Sequence, residues 1–250
     1  KNLDNLISLG VDHFDVTINP KIEKKFIYKT FLESGAAAIP MHLAIFNLSQ
    51  RIASNFKIPL IIWGENSAKE YGFKKKTDVL KKNLDKKWVK SYGVTHSKIA
   101  EDWIDKKLKK KNLILYSDNQ NSNFKPYSIF LGDYFGWDPI RSFKVAKKKG
   151  FKSNKFAKTG LYDFADIDDN FISIHHFLKW HKFGFSRLFD NLSIEIRKKR
   201  ISRSKAIDII RKKGLDIPKD DIKIFCKYLG ISHKHFFNIC EKFRNKNIWK

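Results

Sequence analysis

An unbroken apolar run that ends in a glycine, an acid and an amide constrains this chain more than any other feature. The run is Ile58-Pro-Leu-Ile-Ile-Trp63, and Gly64, Glu65 and Asn66 follow it. Because apolar and polar residues do not alternate, the pattern predicts a strand buried on both faces, as in a parallel α/β sheet. Such sheets bind ligands at the carboxyl ends of their strands. The segment therefore predicts either a ligand site at Glu65 and Asn66 or a polar turn after a buried strand.

The order of predicted elements indicates an α/β fold with part of a doubly wound parallel sheet. Tyr127 to Asp133 predicts a second strand that also ends in a glycine and an acid. Val11 to Ile18 predicts a further strand, while Ile22 to Glu33 and Met41 to Phe56 have helical spacing. The sequence of helix, strand, two helices and strand is that of a doubly wound sheet entered after its first strand.

The chain divides into two predicted regions. Residues 1–150 predict the α/β domain, with a lysine-rich insertion or lid at about 69–125, and residues 151–250 predict a helical C-terminal region. Ser202 and Ser232 are predicted N-caps in that region, and Gly214 and Gly230 are predicted helix ends. Its helices are predicted at His175 to Phe183, Ser193 to Arg200, Ser202 to Lys213, Lys219 to Leu229 and Ser232 to Phe243.

Charge and cysteine content narrow the class of protein. The 51 Lys and Arg residues against 26 Asp and Glu residues give a net charge of +25, which favours a polyanion or a phosphorylated substrate as a partner. A general bias toward lysine would give the same excess without a specific role. Cys226 and Cys240 are too few for a disulfide framework and are predicted to be core thiols. No apolar run approaches the ~18 residues of a membrane span, so a cytoplasmic protein is predicted.

Two polar clusters in the C-terminal region are candidates for chemistry. Asp163, Asp166, Asp168 and Asp169 could hold Mg²⁺, but their irregular spacing favours a role in turns. His176, with Lys179 or Lys182, could bind an anionic sugar or a phosphate, or could be a structural histidine. Three cations are further candidate anion ligands or solvated side chains, namely Lys182, Arg187 and Arg197.

Several motifs together resemble a known family. The motifs are Ile58 to Asn66, Glu70-Tyr-Gly72, Gly136-Trp-Asp-Pro139, Tyr162 to Asp169, Lys182-Phe-Gly-Phe185, Phe243-Arg-Asn245 and Ile248-Trp249. Between about Asn5 and Trp249 the chain resembles the N-acetyl sugar amidotransferases of bacterial surface-polysaccharide synthesis. These proteins are similar to the PP-loop ATP pyrophosphatases, which share the adenine nucleotide alpha hydrolase fold.

The chain departs from this family at two places. The Ser-Gly-Gly-x-Asp-Ser phosphate loop is absent, so we expect it upstream of Lys1 and expect the chain by itself to be inactive and to bind ATP poorly. Where relatives carry Cys-x-x-Cys-His, this chain has Ala38 and Met41 followed by His42. Because Ala38 and Met41 replace the two cysteines, these two positions cannot have a metal-binding or redox role.

The resemblance implies an ATP-dependent conversion of the acetamido group of a nucleotide-linked sugar to an acetamidino group, in O-antigen and lipopolysaccharide synthesis. ATP and Mg²⁺ are the implied cofactors, and ammonia is expected from a glutaminase subunit through a channel-forming subunit similar to the histidine-pathway pair. The implied site residues are Glu65 and Asp133 for catalysis, Gly64, Glu65 and Asn66 for the nucleotide, His42, His176, Lys182 and Arg187 for the substrate, and Asp163 and Asp166 for the metal.

An alternative function is tRNA modification or nucleic-acid binding by a relative of the same fold. The basic runs Arg197-Lys-Lys-Arg200 and Arg211-Lys-Lys213 would then bind the phosphate backbone. Aromatic residues between basic runs would favour RNA. However, the candidate phenylalanines have the helical spacing of core residues; they are Phe225, Phe236, Phe237 and Phe243.

Overall fold

The computed structural model describes residues 2–64, 67, 70, 86–119, 122–213 and 217–249. The fold is mixed α/β, mostly helical, with a small parallel sheet. The chain forms two compact units. The sheet unit comprises Thr17–Thr30 and Ala38–Pro139, and the C-terminal unit comprises Lys1–Val16, Phe31–Ala37 and Ile140–Lys250.

Two short parallel strands form the sheet. β1 (Leu60–Trp63) pairs with β2 (Tyr127–Phe130), with Leu60 opposite Tyr127 and Trp63 opposite Phe130. The Leu131 amide donates to the Trp63 carbonyl at 2.8 Å, which carries the pairing to the ends of both strands. The prediction that these two segments are strands with adjacent carboxyl ends is confirmed.

Two predictions about the strands are wrong. Residues 11–19 form no regular structure, so Val11 to Ile18 is not a strand. β1 is not buried on both faces, because Leu60 is 42% exposed and Ile62 is 57% exposed. Alternate residues of a strand point to opposite faces, and Trp63 on the other face packs against Phe46 at a ring distance of 5.3 Å. The larger doubly wound sheet stays a prediction.

Helices precede the sheet and short turns fill the unit around it. Asn19 begins α2 (Pro20–Ser34), because its side-chain oxygen accepts from the Lys21 amide at 3.0 Å. The helix α3 (Ile39–Asn55) follows. Between residues 86 and 116 the chain forms α4 (Lys86–Trp88), a π-helical turn (Val89–Gly93) and four 3₁₀ turns, at Thr95–Ser97, Ala100–Trp103, Lys110–Asn112 and Ile114–Tyr116.

The remaining helices are largely where the sequence predicts them. Ser232 caps the last one, because its side-chain oxygen accepts from the His235 amide at 3.1 Å, and Gly230 ends the preceding helix at a φ of +73°. Gly214 lies outside the described residues. In chain order the helices are α1 (Asn2–Ile7), α5 (Gly132–Phe135), α6 (Pro139–Lys148), α7 (Ile172–Phe183), α8 (Arg187–Arg197), α9 (Arg203–Lys213), α10 (Lys219–Leu229) and α11 (His233–Lys242). Within the described ranges, none of the helices has the length and apolar character needed to cross a membrane.

A phenylalanine cluster forms the centre of the C-terminal unit. Phe31, Phe225 and Phe236 are each fully buried, with ring distances of 5.4 Å from Phe31 to each of the others. Phe177 of α7 adds a stacked ring at 6.3 Å from Phe236. The prediction that the phenylalanines with helical spacing are core residues is confirmed for Phe225 and Phe236 and is wrong for Phe237, which is 38% exposed. Cys226 and Cys240 are also buried and unbonded, and burial raises the pKa of Cys240 to about 12.

The end of the chain packs against the Lys182-Phe-Gly-Phe185 motif. The Asn245 amide and the Trp249 indole N–H both donate to the His181 carbonyl at 3.0 Å. Trp249 also packs on Trp180, with ring centroids 4.7 Å apart. A Cβ atom at Gly184 would lie 2.8 Å from the Ile248 side chain, so this motif and the Ile248-Trp249 motif also approach each other directly.

Candidate functional site

A pocket opens in the C-terminal unit, and cationic side chains line much of it. Its empty volume is about 630 Å³, part of which is open to solvent. The loop at 157–160, α7, the start of α8 and the end of α9 contribute to it. The polar side chains of the lining that matter for binding are Lys158, Thr159, His176, Ser186, Arg187 and Lys213.

Gly160 allows the loop to approach α8 closely. Its φ is +58°, and a Cβ atom there would lie 2.2 Å from the Asn191 side-chain oxygen. Asn191 is 1% exposed, and the same oxygen accepts from the Leu161 amide at 2.9 Å. A buried asparagine of α8 thus anchors the loop and places Lys158 and Thr159 at the pocket.

Asp166 contacts three of the pocket-lining side chains. Its carboxylate accepts a short hydrogen bond from the Thr159 hydroxyl. The same oxygen, Oδ2, lies 3.6 Å from Arg187 Nε and 3.9 Å from His176 Nε2. The Asp166 side chain is only 12% exposed, so this charge interaction is weakly screened. The negative charge of Asp166 therefore offsets part of the positive charge of Arg187, and of His176 when that ring is protonated.

The two lysines of the pocket donate to backbone carbonyl groups. Lys158 Nζ lies 2.8 Å from the Asp169 carbonyl oxygen, and Lys213 Nζ lies 2.5 Å from the Gly160 carbonyl oxygen. A carbonyl group orients an ammonium group without cancelling its charge. The amino end of α8 also borders the pocket and adds partial positive charge. The arrangement as a whole favours an anionic ligand.

Residues 145–250 match the sequence model of a family described as LPS biosynthesis protein WbpG-like, C-terminal domain. This region is similar to part of a lipopolysaccharide biosynthesis protein. We call it the WbpG-like region, and every residue that lines the pocket lies within it. A search of curated proteins finds no significant match to the chain.

The structure brings two of the predicted substrate residues together in the pocket. His176 and Arg187 line the pocket. His42 is a partly buried residue of α3 in the sheet unit, where burial lowers its pKa to about 4. Lys182 is only 9% exposed and donates to the Ser34 carbonyl at 3.2 Å, outside the pocket lining. Their substrate-binding roles stay predictions.

Burial of Lys182 predicts a pH-dependent stability. Burial lowers its pKa from 10.5 to about 8, so between these values the unfolded chain binds more protons and the wild-type protein gains stability as pH rises. The gain should approach about 3 kcal/mol relative to Lys182→Met, which lacks the titrating group. Denaturant unfolding of both proteins at pH 7 and pH 10 measures it. A difference that does not change with pH would contradict this prediction.

The predicted nucleotide residues are only partly described. Gly64 directly follows β1, whereas Glu65 and Asn66 lie outside the described residues. Asp133 is exposed in α5, just after β2. A Cβ atom at Gly64 would meet no described atom within 4 Å.

The two aspartates predicted to bind a metal contact protein groups. Asp163 accepts from the Ser153 hydroxyl at 3.2 Å, and Asp166 contacts Thr159, His176 and Arg187 as described above. Among the described residues, no group of three His, Cys, Asp or Glu side chains could hold a metal ion. Asp166 is placed beside two cationic side chains, which is a poor environment for Mg²⁺. Magnesium binding by this pair gains no support from these contacts and stays a prediction.

Sequence reasoning missed three polar residues of the pocket, namely Lys158, Thr159 and Ser186, and it named Lys213 only within the basic run Arg211-Lys-Lys213. Lys158 and Thr159 directly precede Gly160 and the acidic run, so a cation followed by a hydroxyl and a glycine was the available local signal. The basic run does not indicate that Lys213 reaches the loop from the end of α9, because that contact is formed between distant parts of the chain.

Proposed function

We propose that this protein acts in lipopolysaccharide biosynthesis as an ATP-dependent amidotransferase that modifies the N-acetyl group of a nucleotide-linked sugar. The observation that supports this proposal most directly is that the cation-lined pocket lies entirely within the WbpG-like region. A nucleotide-linked sugar carries phosphate groups, which such a pocket attracts. The motifs shared with N-acetyl sugar amidotransferases support the reaction type.

The proposed reaction activates an amide oxygen, which is otherwise a poor leaving group. The acetamido oxygen attacks the α-phosphorus of ATP and releases pyrophosphate, forming an adenylated imidate. Ammonia then adds to the imidate carbon, and AMP departs with the oxygen. The products are an acetamidino sugar, AMP and pyrophosphate. Magnesium, when bound with ATP, offsets the charge of the phosphate groups.

In this proposal the strand ends of the sheet unit serve the nucleotide. Parallel pairing places Trp63 opposite Phe130, so the segments that follow both strands begin at one edge of the sheet. Gly64, Glu65 and Asn66 would contact the nucleotide, and Glu65 and Asp133 would act in catalysis. His176 and Arg187 would contact the sugar substrate, with His42 and Lys182 as the other proposed substrate residues. Ammonia would come from a glutaminase subunit and a channel-forming subunit.

Because ATP binding is expected to need a phosphate loop, the test supplies an enzyme form that carries such a loop with ammonium, Mg-ATP and nucleotide-linked acetamido sugars. The proposal expects AMP and pyrophosphate in amounts equal to an acetamidino sugar, in which mass spectrometry detects NH in place of the oxygen. Omission of ammonium should abolish the product. AMP formation that depends on tRNA and not on any sugar would overturn the proposal in favour of an RNA-modifying enzyme.

Glu65→Gln should lower turnover in the active enzyme by about 100-fold or more, because a carboxylate that acts on developing charge loses this function as an amide. Circular dichroism should show an intact fold. Glu70→Gln, which changes a nearby acid of the same motif region, is the matched control and should retain most of its turnover. Near-normal turnover of Glu65→Gln would instead support a polar turn.

Substitutions in the basic runs test the alternative function of nucleic-acid binding. Arg200 is not simply a free surface cation, because its guanidinium binds Glu195 at 2.6 and 2.8 Å. The exposed pair Lys198 and Lys199 therefore gives the cleaner substitutions. If both are changed to glutamine and sub-micromolar tRNA binding is lost, the alternative function gains support.

A further inference from the structure

We propose that Lys158 and Lys213 form the diphosphate subsite of this pocket, and that Arg187 and His176 face the sugar. This inference rests on the proposed function for the identity of the ligand. It assigns the phosphate groups to two lysines that the sequence analysis did not name as ligands of the sugar substrate. It also assigns Arg187 to recognition of the sugar. The principal role in binding phosphate then belongs to the lysines.

The two lysines differ from Arg187 and His176 in the groups that their side chains contact. Arg187 and His176 lie within 3.9 Å of one partly buried carboxylate oxygen of Asp166, which offsets part of the positive charge at this pair. Lys158 and Lys213 instead donate to carbonyl oxygens. A diphosphate carries more than one negative charge, so it gains more from the lysine pair than from the pair next to Asp166.

The acid nearest Lys158 is engaged with the backbone. The Asp169 carboxylate accepts from the Phe171 amide at 2.7 Å, while its carbonyl oxygen receives the Lys158 ammonium group. Burial raises the pKa of Asp169, and the nearby charge of Lys158 acts in the opposite direction, so this carboxylate offsets part of the Lys158 charge. An ammonium group has three N–H donors, and one of those on Lys158 is used in the described contact. Lys158 therefore has donors for a phosphate oxygen.

Both lysines are anchored on the same short loop segment. Lys158 belongs to it, and Lys213 from α9 binds the carbonyl of Gly160 two residues later. Lys158, Thr159, Gly160 and Lys213 all line the pocket. Neighbouring phosphates of a diphosphate could therefore contact both ammonium groups at once. In contrast, Arg187 and His176 enter from α8 and α7, where N–H groups can recognise hydroxyl and acetamido oxygens of a sugar.

The test measures binding of UDP, UMP and inorganic pyrophosphate to the full chain by calorimetry at fixed salt. Lys158→Gln and Lys213→Gln should each weaken UDP and pyrophosphate binding by about 10-fold or more, the usual effect of losing a charged hydrogen bond. They should also reduce the preference for UDP over UMP. Lys212→Gln is the matched control, because Lys212 is the exposed neighbour of Lys213 and does not line the pocket.

Arg187→Gln separates the two subsites. It should change UDP affinity by less than about 3-fold but reduce the gain in affinity that UDP-N-acetylglucosamine shows over UDP. Unchanged melting temperatures would establish that each variant is folded, and Lys213→Arg should retain UDP binding. The inference is overturned if the wild-type chain does not bind UDP or pyrophosphate, if Lys212→Gln has the same effect as Lys213→Gln, or if Arg187→Gln weakens UDP binding most.

The outcomes also separate this inference from the proposed function. Lysine-dependent binding of UDP, without any ammonium-dependent product from an enzyme form that carries the phosphate loop, would support the diphosphate subsite and overturn the amidotransferase proposal. Formation of the acetamidino sugar with unchanged UDP binding in both lysine variants would support the reaction and overturn the subsite.

Discussion

Replacing Phe236 by alanine should lower the free energy of unfolding by about 3 to 5 kcal/mol, the largest effect expected of a single substitution in the C-terminal unit. Phe236 is fully buried and packs on Phe31, Phe225 and Phe177 at ring distances of 5.4, 6.0 and 6.3 Å. Truncation removes these contacts and leaves a cavity that three neighbouring rings cannot readily fill. Denaturant unfolding measures the loss.

The neighbouring residue provides the control for this substitution. Phe237 lies on the same helix and is 38% exposed, so Phe237→Ala removes a similar side chain with much less burial. We expect its effect to be less than half that of Phe236→Ala. Equal losses would contradict the placement of Phe236 at the centre of the core and Phe237 at its edge.

Gly160→Ala should lower the free energy of unfolding by about 2 to 5 kcal/mol and weaken anion binding in the pocket. A left-handed backbone costs about 1 to 2 kcal/mol for alanine. The overlap of the new Cβ atom with the buried side chain of Asn191 adds about 1 to 3 kcal/mol, because Asn191 is fixed by its hydrogen bond to the loop. Thermal unfolding and UDP calorimetry on the same protein measure both effects.

Gly230→Ala isolates the backbone contribution. Gly230 has a φ of +73°, and a Cβ atom there would have no neighbour within 4 Å. This variant should therefore show the cost of the left-handed conformation alone and should leave UDP binding unchanged. We expect Gly160→Ala to lose more free energy of unfolding than Gly230→Ala. Equal losses would contradict the view that Gly160 is required for the close approach of the loop to α8.

The acidic motif, Tyr162 to Asp169, contains residues that stabilise the C-terminal unit and residues that contact the pocket. Tyr162 donates a hydrogen bond to Glu195, which Arg200 binds through two guanidinium N–H groups. Burial and the neighbouring Glu195 raise the pKa of Tyr162, so its hydroxyl stays protonated and continues to donate. Further along the motif, Asp166 contacts the pocket side chains. The motif thus connects the packing of the C-terminal unit to the geometry of the pocket.

Sequence periodicity predicted the helices because their signals are local. The caps at Ser202 and Ser232 and the left-handed Gly230 act within a few residues of the helix ends they determine. The exception is α8, which begins at Arg187 and not near the predicted Ser193. Its first turn contributes Arg187 to the pocket. Local spacing therefore missed the turn that places this residue at the pocket.

The sequence by itself determined that two segments become strands, that the C-terminal region is helical and that His176 and Arg187 are candidates for binding an anion. Only the tertiary structure decided which cations share a pocket, because Lys158 and Lys213 are far apart in the chain and meet through the Gly160 loop. It also decided that Asp166 contacts Arg187 and that Lys182 is buried elsewhere. Such contacts depend on how helices pack, which the order of residues within one helix does not specify.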